Sequence, residues 1–417
     1  MLKLLLPFIC LFIPKLRERS RKAVPVFDSI PFQKPIAGRV FWFHAASMGE
    51  FEQAKPVIEL IKTKEPDAKI ICTFFSPSGY NNQQNYSMAD AVLYILLDTK
   101  KNADKFLDKF KPDAAVFVRY DLWLNHLNEC KKRDIKLFLI AATKPGSIAA
   151  SSFEITKQFY ALLYSKFDMI FTVGIEHTKS IQSISPDSNI ISSHDPRFDR
   201  IYSAVSRHRN NPPIPRTIFG NELIIVAGST WNEDANILIP AIVNANRDGF
   251  QYRCIFVPHE PTNTNIEYIQ SKIASIRLSE IENAMRLDTI DDLKAKLASS
   301  HIIVDSIGKL LGLYALADAA YIGGGFGAGV HSIAEPAGYG IPLSCGPKSS
   351  KSADANQLIR LESLMIIKSD KDAYKWLVSI ANHDFAKTQA EKNAKYISEK
   401  LGASELIVDE INKCFWK

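Results

Sequence analysis

The first strand and helix of this sequence are set by residues 39–53, RVFWFHAASMGEFEQ. The apolar run Val40 to Phe43 is typical of a buried strand, small residues after His44 permit a tight turn, and a helical pattern follows. Glu50 therefore lies just beyond the end of a strand, the edge at which open α/β sheets bind ligands. Taken alone, this segment favours a structural role, in which the carboxylate is only a partner of the helix dipole.

Length and composition limit the class of protein. A chain of 417 residues exceeds one ordinary core and predicts two domains. The apolar fraction of 46% is that of a globular protein. With 23% charged residues, a net charge of +6 and no dense Lys/Arg stripe, the chain does not resemble a nucleic-acid binder. An anionic small molecule or membrane surface suits it better.

The six cysteines are scattered and form no CxxC pair. This spacing argues against a zinc site and against a disulfide framework. Free thiols fit a reducing cytoplasm.

The segment 1–22 begins with the apolar run MLKLLLPFICLFIP and continues with five cations. The run is shorter than the roughly 20 residues of a spanning helix. A signal peptide is not expected, because no cleavage site follows and the cations lie on the wrong side. We predict an anchor lying on the cytoplasmic leaflet. The alternative is a helix that merely docks on the first domain.

After an irregular connector at 24–36, strand and helix patterns alternate, which predicts βαβ units around a parallel sheet. Pro56 either begins the first helix or kinks it. The predicted strands are 40–43, 69–75, 91–96, 114–118, 137–142 and 169–173, with helices at 57–64 and 100–110. Residues 37–207 thus form a predicted Rossmann-like domain, although the dinucleotide glycine fingerprint is missing after its first strand.

Residues 208–217 have the proline-rich composition of a linker. A second alternating series follows and predicts another Rossmann-like domain at 218–417. Its predicted strands are 223–227, 253–257, 302–304, 319–323 and 341–344, with a helix at 237–245. The tail from about Phe385 is predicted to be helical, and its last helix packs either within this domain or back on the first.

The glycine-rich segment 321–336, YIGGGFGAGVHSIAEP, is the strongest local motif. Five glycines in seven positions are costly in entropy, which is reasonable where backbone amides wrap an anion. A helix carrying His331 and Glu335 one turn apart is predicted after the loop. The alternative is a flexible connector with a mutually satisfied His–Glu pair. No Walker lysine follows, so a P-loop NTPase is not indicated.

Three further segments follow predicted strands of the second domain. Ser229 and Thr230 precede a helix, where their hydroxyls either contact a phosphate or cap the helix. Pro258-His259 and Gly308-Lys309-Leu310 offer a histidine and backbone amides, and each is also compatible with ordinary turn chemistry. Their recurrence at successive strand ends predicts a ligand cleft.

The ordered set FHAASMGEFEQ, RYDLW, DPRFDR, AGSTWNE, PHEP, DSIGKLLGLYALAD and GGGFGAGVHSIAEPAGYGIPLSCGP closely resembles the lipid A Kdo transferases, the 3-deoxy-D-manno-octulosonic acid transferases of lipopolysaccharide assembly. The resemblance spans nearly the whole chain. It implies a GT-B fold, in which two Rossmann-like domains face each other across a cleft. It further implies a CMP-Kdo donor, a lipid A precursor (lipid IVA-like) as acceptor and an inverting transfer without a metal or other cofactor. The implied location is the cytoplasmic face of a Gram-negative inner membrane.

Carried over residue by residue, Glu50 matches the family's catalytic base. The segments that match its CMP contacts are Pro258 and His259, Gly308 to Leu310, and Ser332, Ile333, Ala334 and Glu335. The residues we place on the acceptor side are Ser47, Gly49, Arg119 and Asp121. This chain departs from the family pattern at Lys309, where a glutamate is usual, and at Ser332, where asparagine is usual. His259 approximates an arginine, and Arg119 stands where many members have an acid.

Two other hypotheses remain at the level of sequence. One is a different GT-B enzyme, either a nucleotide-sugar transferase or a sugar-nucleotide 2-epimerase. The other is a membrane-bound nucleotide-binding protein without catalytic activity.

Overall fold

The computed structural model describes residues 14–144 and 154–415. Contacts divide the chain into two units. The first ends at Arg200 and is completed by the segment that begins at Lys400, and the second is Ile201–Glu399. Because the division falls inside the helix Arg197–Arg209, the predicted linker 208–217 lies within the second unit.

The first unit contains a seven-stranded parallel sheet of order β3-β2-β1-β4-β5-β6-β7. Its strands are β1 Val40–Ala45, β2 Lys69–Phe74, β3 Ala91–Tyr94, β4 Ala114–Val118, β5 Lys136–Ala142, β6 Met169–Thr172 and β7 Ile190–Ser192. Its helices are α1 Pro14–Ser29, α2 Met48–Lys64, α3 Pro77–Gln83, α4 Lys100–Phe110, α5 Leu124–Lys132, α6 Glu154–Tyr164 and α7 Ile175–Gln182, followed by α8 Arg197–Arg209, which leads into the second unit.

The second unit has its own seven-stranded parallel sheet, of order β10-β11-β9-β8-β12-β13-β14. Its strands are β8 Leu223–Thr230, β9 Tyr252–Pro258, β10 Ser275–Arg277, β11 His301–Ile303, β12 Ala319–Ile322, β13 Leu343–Cys345 and β14 Leu364–Ile366. Its helices are α9 Asn232–Arg247, α10 Asn263–Gln270, α11 Leu278–Arg286, α12 Lys294–Ser299, α13 Leu310–Leu313, α14 Ala334–Gly338, α15 Ala353–Arg360, α16 Asp370–Ala381 and α17 His383–Ser398. Three 3-10 helices, Arg216–Phe219, Ile290–Leu293 and Tyr314–Leu316, complete the unit.

The last helix, α18 Ala403–Lys413, belongs to the first unit, so the predicted span of the second domain to residue 417 is too long. Ile407, Val408 and Ile411 are fully buried in the core on one face of the first sheet. They pack there against α2.

The predicted irregular connector at 24–36 is wrong in its first part, because α1 continues to Ser29. Phe27 is buried and packs edge-on against Phe110, with 5.9 Å between ring centroids. This burial supports the last turn of α1 despite Pro25. The predicted N-terminal anchor lies largely outside the described residues, since 1–13 are not among them.

No helix in the described part of the chain has the length and apolar character to cross a membrane. The buried cysteines at 72, 130, 254 and 345 are free thiols. Cys10 lies outside the described residues.

Candidate active site

Glu50 lies in the first turn of α2, which begins at Met48, so the alternative start at Pro56 is excluded. Ser47 is the N-cap in an extended conformation, and its hydroxyl accepts the Glu50 N–H at 3.5 Å. In return, Oε2 of Glu50 accepts the Ala46 N–H at 2.7 Å. This reciprocal arrangement resembles a capping box and bends the carboxylate back over the loop after β1. The Glu50 side chain is consequently buried, with 7% of the residue exposed.

Burial raises the pKa of Glu50 above its ordinary value, and the nearby charge of Asp121 acts in the same direction. The hydrogen bond from Ala46 and the charges of Arg119 and His44 oppose the increase. The sequence pattern alone predicted a carboxylate whose negative charge is stabilised by the dipole at the N-terminus of a helix. The structure adds desolvation, which makes Glu50 a stronger proton acceptor than an exposed glutamate.

His44 is completely buried and links β1 to the loop after β4. Its Nε2 lies 2.9 Å from Oδ2 of Asp121, and its Nδ1 lies 2.9 Å from the Thr73 hydroxyl. Burial opposes ionisation of Asp121, but the hydrogen bond and charge of His44 outweigh it, so the pKa of Asp121 is lowered. An ionised carboxylate only accepts, so Nε2 of His44 carries a proton toward Asp121. The pair holds the loop that begins at Arg119 beside Glu50.

The acceptor-side candidates of the first unit occupy two neighbouring loops. Ser47 and Gly49 flank Glu50 in the first turn of α2, and Gly49 is exposed. A Cβ built on Gly49 would meet no described atom within 4 Å, so this turn has an open face. Arg119 and Asp121 lie in the loop after β4, which neighbours β1 in the sheet.

In the second unit, three rings from three loops form a cluster. Trp231 lies 4.8 Å from His259 between ring centroids, and His259 lies 4.3 Å from His331. The Trp231 indole N–H donates to Nε2 of His331 at 3.4 Å. Because an indole nitrogen only donates, His331 is neutral with its proton on Nδ1. Burial and the neighbouring His259 both lower the pKa of His331, against the charge of Asp234.

The glycine-rich loop is organised by Asp234, a residue that the sequence analysis did not single out. Its carboxylate accepts hydrogen bonds from the backbone N–H of Gly324 at 2.9 Å, the Tyr321 hydroxyl at 2.6 Å and the backbone N–H of Trp231 at 2.8 Å. The signal in the sequence was its position three residues into α9, typical of a capping acid. Burial raises the pKa of Asp234, and these hydrogen bonds oppose the increase.

Close packing explains the glycines better than anion wrapping does. A Cβ on Gly323 would lie 2.3 Å from the Ser229 carbonyl oxygen, and one on Gly325 would lie 2.5 Å from Cα of Gly346. Gly324 also has a φ of +88°, which favours glycine. The Gly327 and Gly329 amides both donate to the Gly324 carbonyl rather than pointing outward.

The predicted helix carrying His331 and Glu335 is wrong. The helix α14 begins at Ala334 and has five residues, so His331 lies in the preceding loop and the two side chains do not share a helix face. Pro336 suits a first turn, because its missing N–H has no partner there in any case. Glu335 instead lies near Tyr314 and Tyr339. Burial raises the pKa values of both tyrosines, and the charge of Glu335 raises them further.

The other donor-side candidates divide into exposed and buried side chains. Ser332 is exposed and Ser229 is half-buried with a φ of +52°. Lys309 forms an ion pair with Glu282, with a separation of 2.5 Å. Gly308, with a φ of +83°, precedes it.

Thr230 is buried, and its hydroxyl donates to the Val257 carbonyl at 3.4 Å, inside the sheet. Side chains that pack in the interior are also found at Pro258, Ile333 and Ala334. At these positions only the backbone is available to a ligand. Leu310 begins the short helix α13 next to Gly228.

Within 14–144 and 154–415, no group of three or more His, Cys, Asp or Glu side chains is arranged to hold a metal ion.

Two parallel seven-stranded sheets, each with candidate site residues beyond its carboxyl edge, define the class of protein as a two-domain α/β protein of GT-B fold. Solved structures show the same fold. A UDP-N-acetylglucosamine 2-epimerase matches with a TM-score of 0.58 and 13% identity, over 90% of this chain and 95% of that one. MurG from Acinetobacter baumannii matches with a TM-score of 0.51 and 14% identity, over 90% of this chain and 100% of that one.

Sequence comparison finds similarity to one family of transferases. The family described as 3-deoxy-D-manno-octulosonic-acid transferase (kdotransferase) matches residues 15–200. A 3-deoxy-D-manno-octulosonic acid transferase of Rickettsia prowazekii (strain Madrid E) is 25% identical over 91% of this chain and 80% of its own length. The corresponding Chlamydia muridarum (strain MoPn / Nigg) enzyme is 25% identical over 78% of this chain and 74% of its own. This chain is thus similar to Kdo transferases over most of its length, and its residues 15–200 match the family of these glycosyltransferases.

Proposed function

We propose that this protein transfers Kdo from CMP-Kdo to a lipid A precursor, with inversion at the anomeric carbon. The observation that supports this proposal is Glu50, a buried carboxylate with a raised pKa at the carboxyl edge of the first sheet. It lies in the part of the chain that matches the Kdo transferase family. A general base needs this combination of high proton affinity and a fixed position.

In the proposed reaction, Glu50 removes the proton of an acceptor hydroxyl as that oxygen bonds to the anomeric carbon of Kdo. The bond between this carbon and the phosphate oxygen breaks on the opposite face, and its electron pair leaves with CMP. Neutral His331 offers its Nδ1–H, and exposed Ser332 offers its hydroxyl, as donors to the phosphate. Since CMP carries a single phosphate, we propose that such donors suffice without a divalent ion or other cofactor.

We propose the cytoplasmic face of a Gram-negative inner membrane as the location. Supporting this are the apolar residues 1–14 and the cations that follow them. Arg17, Arg21 and Lys22 are exposed on α1. Cations so close to an apolar segment favour an anionic lipid surface.

A transfer assay tests the proposal. The full chain is incubated with CMP-Kdo and a lipid A precursor, and the lipid product is analysed by mass spectrometry. We expect the mass of the lipid to increase by Kdo, in the presence of a chelator as in its absence. Glu50→Gln should greatly reduce this increase while leaving CMP binding intact.

Two results would contradict the proposal. Binding of CMP without formation of any Kdo-containing lipid would favour another GT-B nucleotide-sugar enzyme. A Glu50→Gln variant that supports normal function in cells would favour a nucleotide-binding protein without catalytic activity.

A further inference from the structure

Arg119 has an unusual backbone conformation at the end of β4. Its φ is +65°, in the left-handed region that non-glycine residues seldom occupy. Its N–H donates to the Ile140 carbonyl at 3.0 Å, so the conformation is held by the sheet. Such a conformation costs free energy, and strained residues of this kind cluster at functional sites.

The guanidinium of Arg119 has no anionic partner among the described residues. Its Nε is buried and makes no hydrogen bond with a described residue, and its Cζ lies 5.9 Å from the centroid of the Tyr120 ring. Other arginines of the first unit form ion pairs, as Arg39 does with Glu65 and Arg133 with Asp104. A buried donor on a cation is expensive to leave unsatisfied, so this group is suited to bind an external anion.

His177, in the first turn of α7, is the second member of the site. Its Nδ1 accepts the Lys144 backbone N–H at 3.1 Å, so the neutral ring carries its proton on Nε2. Burial lowers the pKa of His177, the charge of Arg119 lowers it further, and Glu176 opposes both. His177 therefore presents an Nε2–H donor within range of the Arg119 charge.

The sheet topology places both residues at the same sheet edge as Glu50. The strands β1, β4, β5 and β6 are consecutive and parallel, so the loops after them share one edge. The segments that follow these strands carry Glu50, Arg119, Lys144 and His177, in that order. The charge of Arg119 acts on the pKa of Glu50 as well as on that of His177.

We propose that Arg119 and His177 form an anion subsite that binds a phosphate monoester of the acceptor next to Glu50. A guanidinium binds phosphate through paired N–H donors, and an imidazole N–H adds a third. This subsite rests on the proposed transfer reaction.

The kinetic test compares two acceptors, the phosphorylated lipid A precursor and the same lipid after phosphatase treatment. For Arg119→Gln we expect KM for the phosphorylated acceptor to rise roughly tenfold or more, with the KM for CMP-Kdo little changed. The KM for the dephosphorylated acceptor should be the same in variant and wild type. Arg119→Lys, which keeps the charge but not the paired donors, should recover part of the loss.

Lys179→Gln is the matched control, since it removes an exposed cation from α7. It should leave both KM values unchanged. Equal effects of Arg119→Gln on the two acceptors, or no effect on either, would overturn the subsite.

A second measurement does not depend on turnover. Inorganic phosphate is titrated into histidine-labelled full-length protein, and the pKa of His177 is followed by NMR. Bound phosphate should raise this pKa in the wild type and not in Arg119→Gln. A response to phosphate without any Kdo transfer would refute the proposed reaction alone, whereas transfer without a response would refute the subsite alone.

Discussion

Burial and local hydrogen bonding have opposite effects on the pKa of Glu50. The side chain is 7% exposed, and desolvation outweighs the hydrogen bond from Ala46. A base that must accept a proton during the reaction gains from this imbalance. The same imbalance costs folding stability once the carboxylate ionises.

Glu50→Gln should lower transfer activity by about 10²–10⁴-fold, the usual contribution of a general base. The free energy of unfolding of this variant, in contrast, should increase relative to wild type. Because the folded pKa is raised, the stabilisation from the protonated form is fully present below the unfolded pKa, roughly 4, and is lost as pH rises through the folded pKa. Glutamine does not ionise and keeps the Ala46 contact, so the variant should gain stability relative to wild type as pH rises. Urea unfolding across this pH range measures the difference.

The matched control for this substitution is Glu59→Gln, nine residues later in α2. It should retain transfer activity. A Glu50→Gln variant whose stability relative to wild type falls with rising pH would contradict the assigned pKa shift.

Trp231→Phe separates ring stacking from hydrogen bonding in the second unit. Phenylalanine preserves an aromatic face against His259 but removes the N–H that fixes the His331 tautomer. We expect Nε2 of His331 to be protonated more readily in this variant, so the pKa of His331 should rise. The affinity for CMP should fall several-fold. Nitrogen NMR of His331 reports the tautomer directly. An unchanged tautomer in the variant would show that the indole does not control it.

At the scale of elements, α18 contributes to a core that is distant in sequence. Ile407 is completely buried against the face of the first sheet that α2 covers. Ile407→Ala should lower the free energy of unfolding of the first unit by about 2–5 kcal/mol, because a cavity remains. Urea unfolding followed by a probe in the first unit measures this loss.

Asp409→Ala is the control on the same helix. Asp409 forms an exposed ion pair with Lys64, and such pairs contribute about 0–1 kcal/mol. If the two substitutions destabilised the first unit equally, α18 would not be part of its core.

The whole molecule consists of two units with separate sheets and separate cores. Because the second unit, Ile201–Glu399, is continuous and internally hydrogen-bonded, it should fold alone. All donor-side candidates lie within it. The fragment 201–399 should therefore unfold cooperatively and bind CMP with the affinity of the full chain, as calorimetry would measure. His331→Ala in the same fragment should weaken that binding without changing its circular dichroism.

The full chain should bind vesicles that contain anionic lipid, and less tightly as salt is added. Each cation near the surface contributes about 1 kcal/mol, so the double substitution Arg17→Glu and Arg21→Glu should weaken binding roughly tenfold or more. Lys179→Glu, an exposed change in the same unit, is the control. Cosedimentation measures the binding, and equal effects of the two sets of substitutions would contradict a role of α1 at the membrane.

The sequence by itself determined the interior strands of both sheets and the position of Glu50 beyond the first of them. Strands such as Ala114–Val118 are buried on both faces and are nearly uninterrupted apolar runs, so a local pattern reveals them. Three strands escaped prediction, namely Ile190–Ser192, Ser275–Arg277 and Leu364–Ile366. All three have three residues and form sheet edges, where short length and partial exposure leave little apolar signal.

Only the tertiary structure decided the electrostatic state of the site. The burial of Glu50, the pairing of His44 with Asp121, and the meeting of Trp231 with His331 depend on residues far apart in the chain. The return of α18 to the first unit is of the same kind. Hydrophobic periodicity is a local property that can be read from the sequence directly. Desolvation and the proximity of charges arise only after distant segments have packed together.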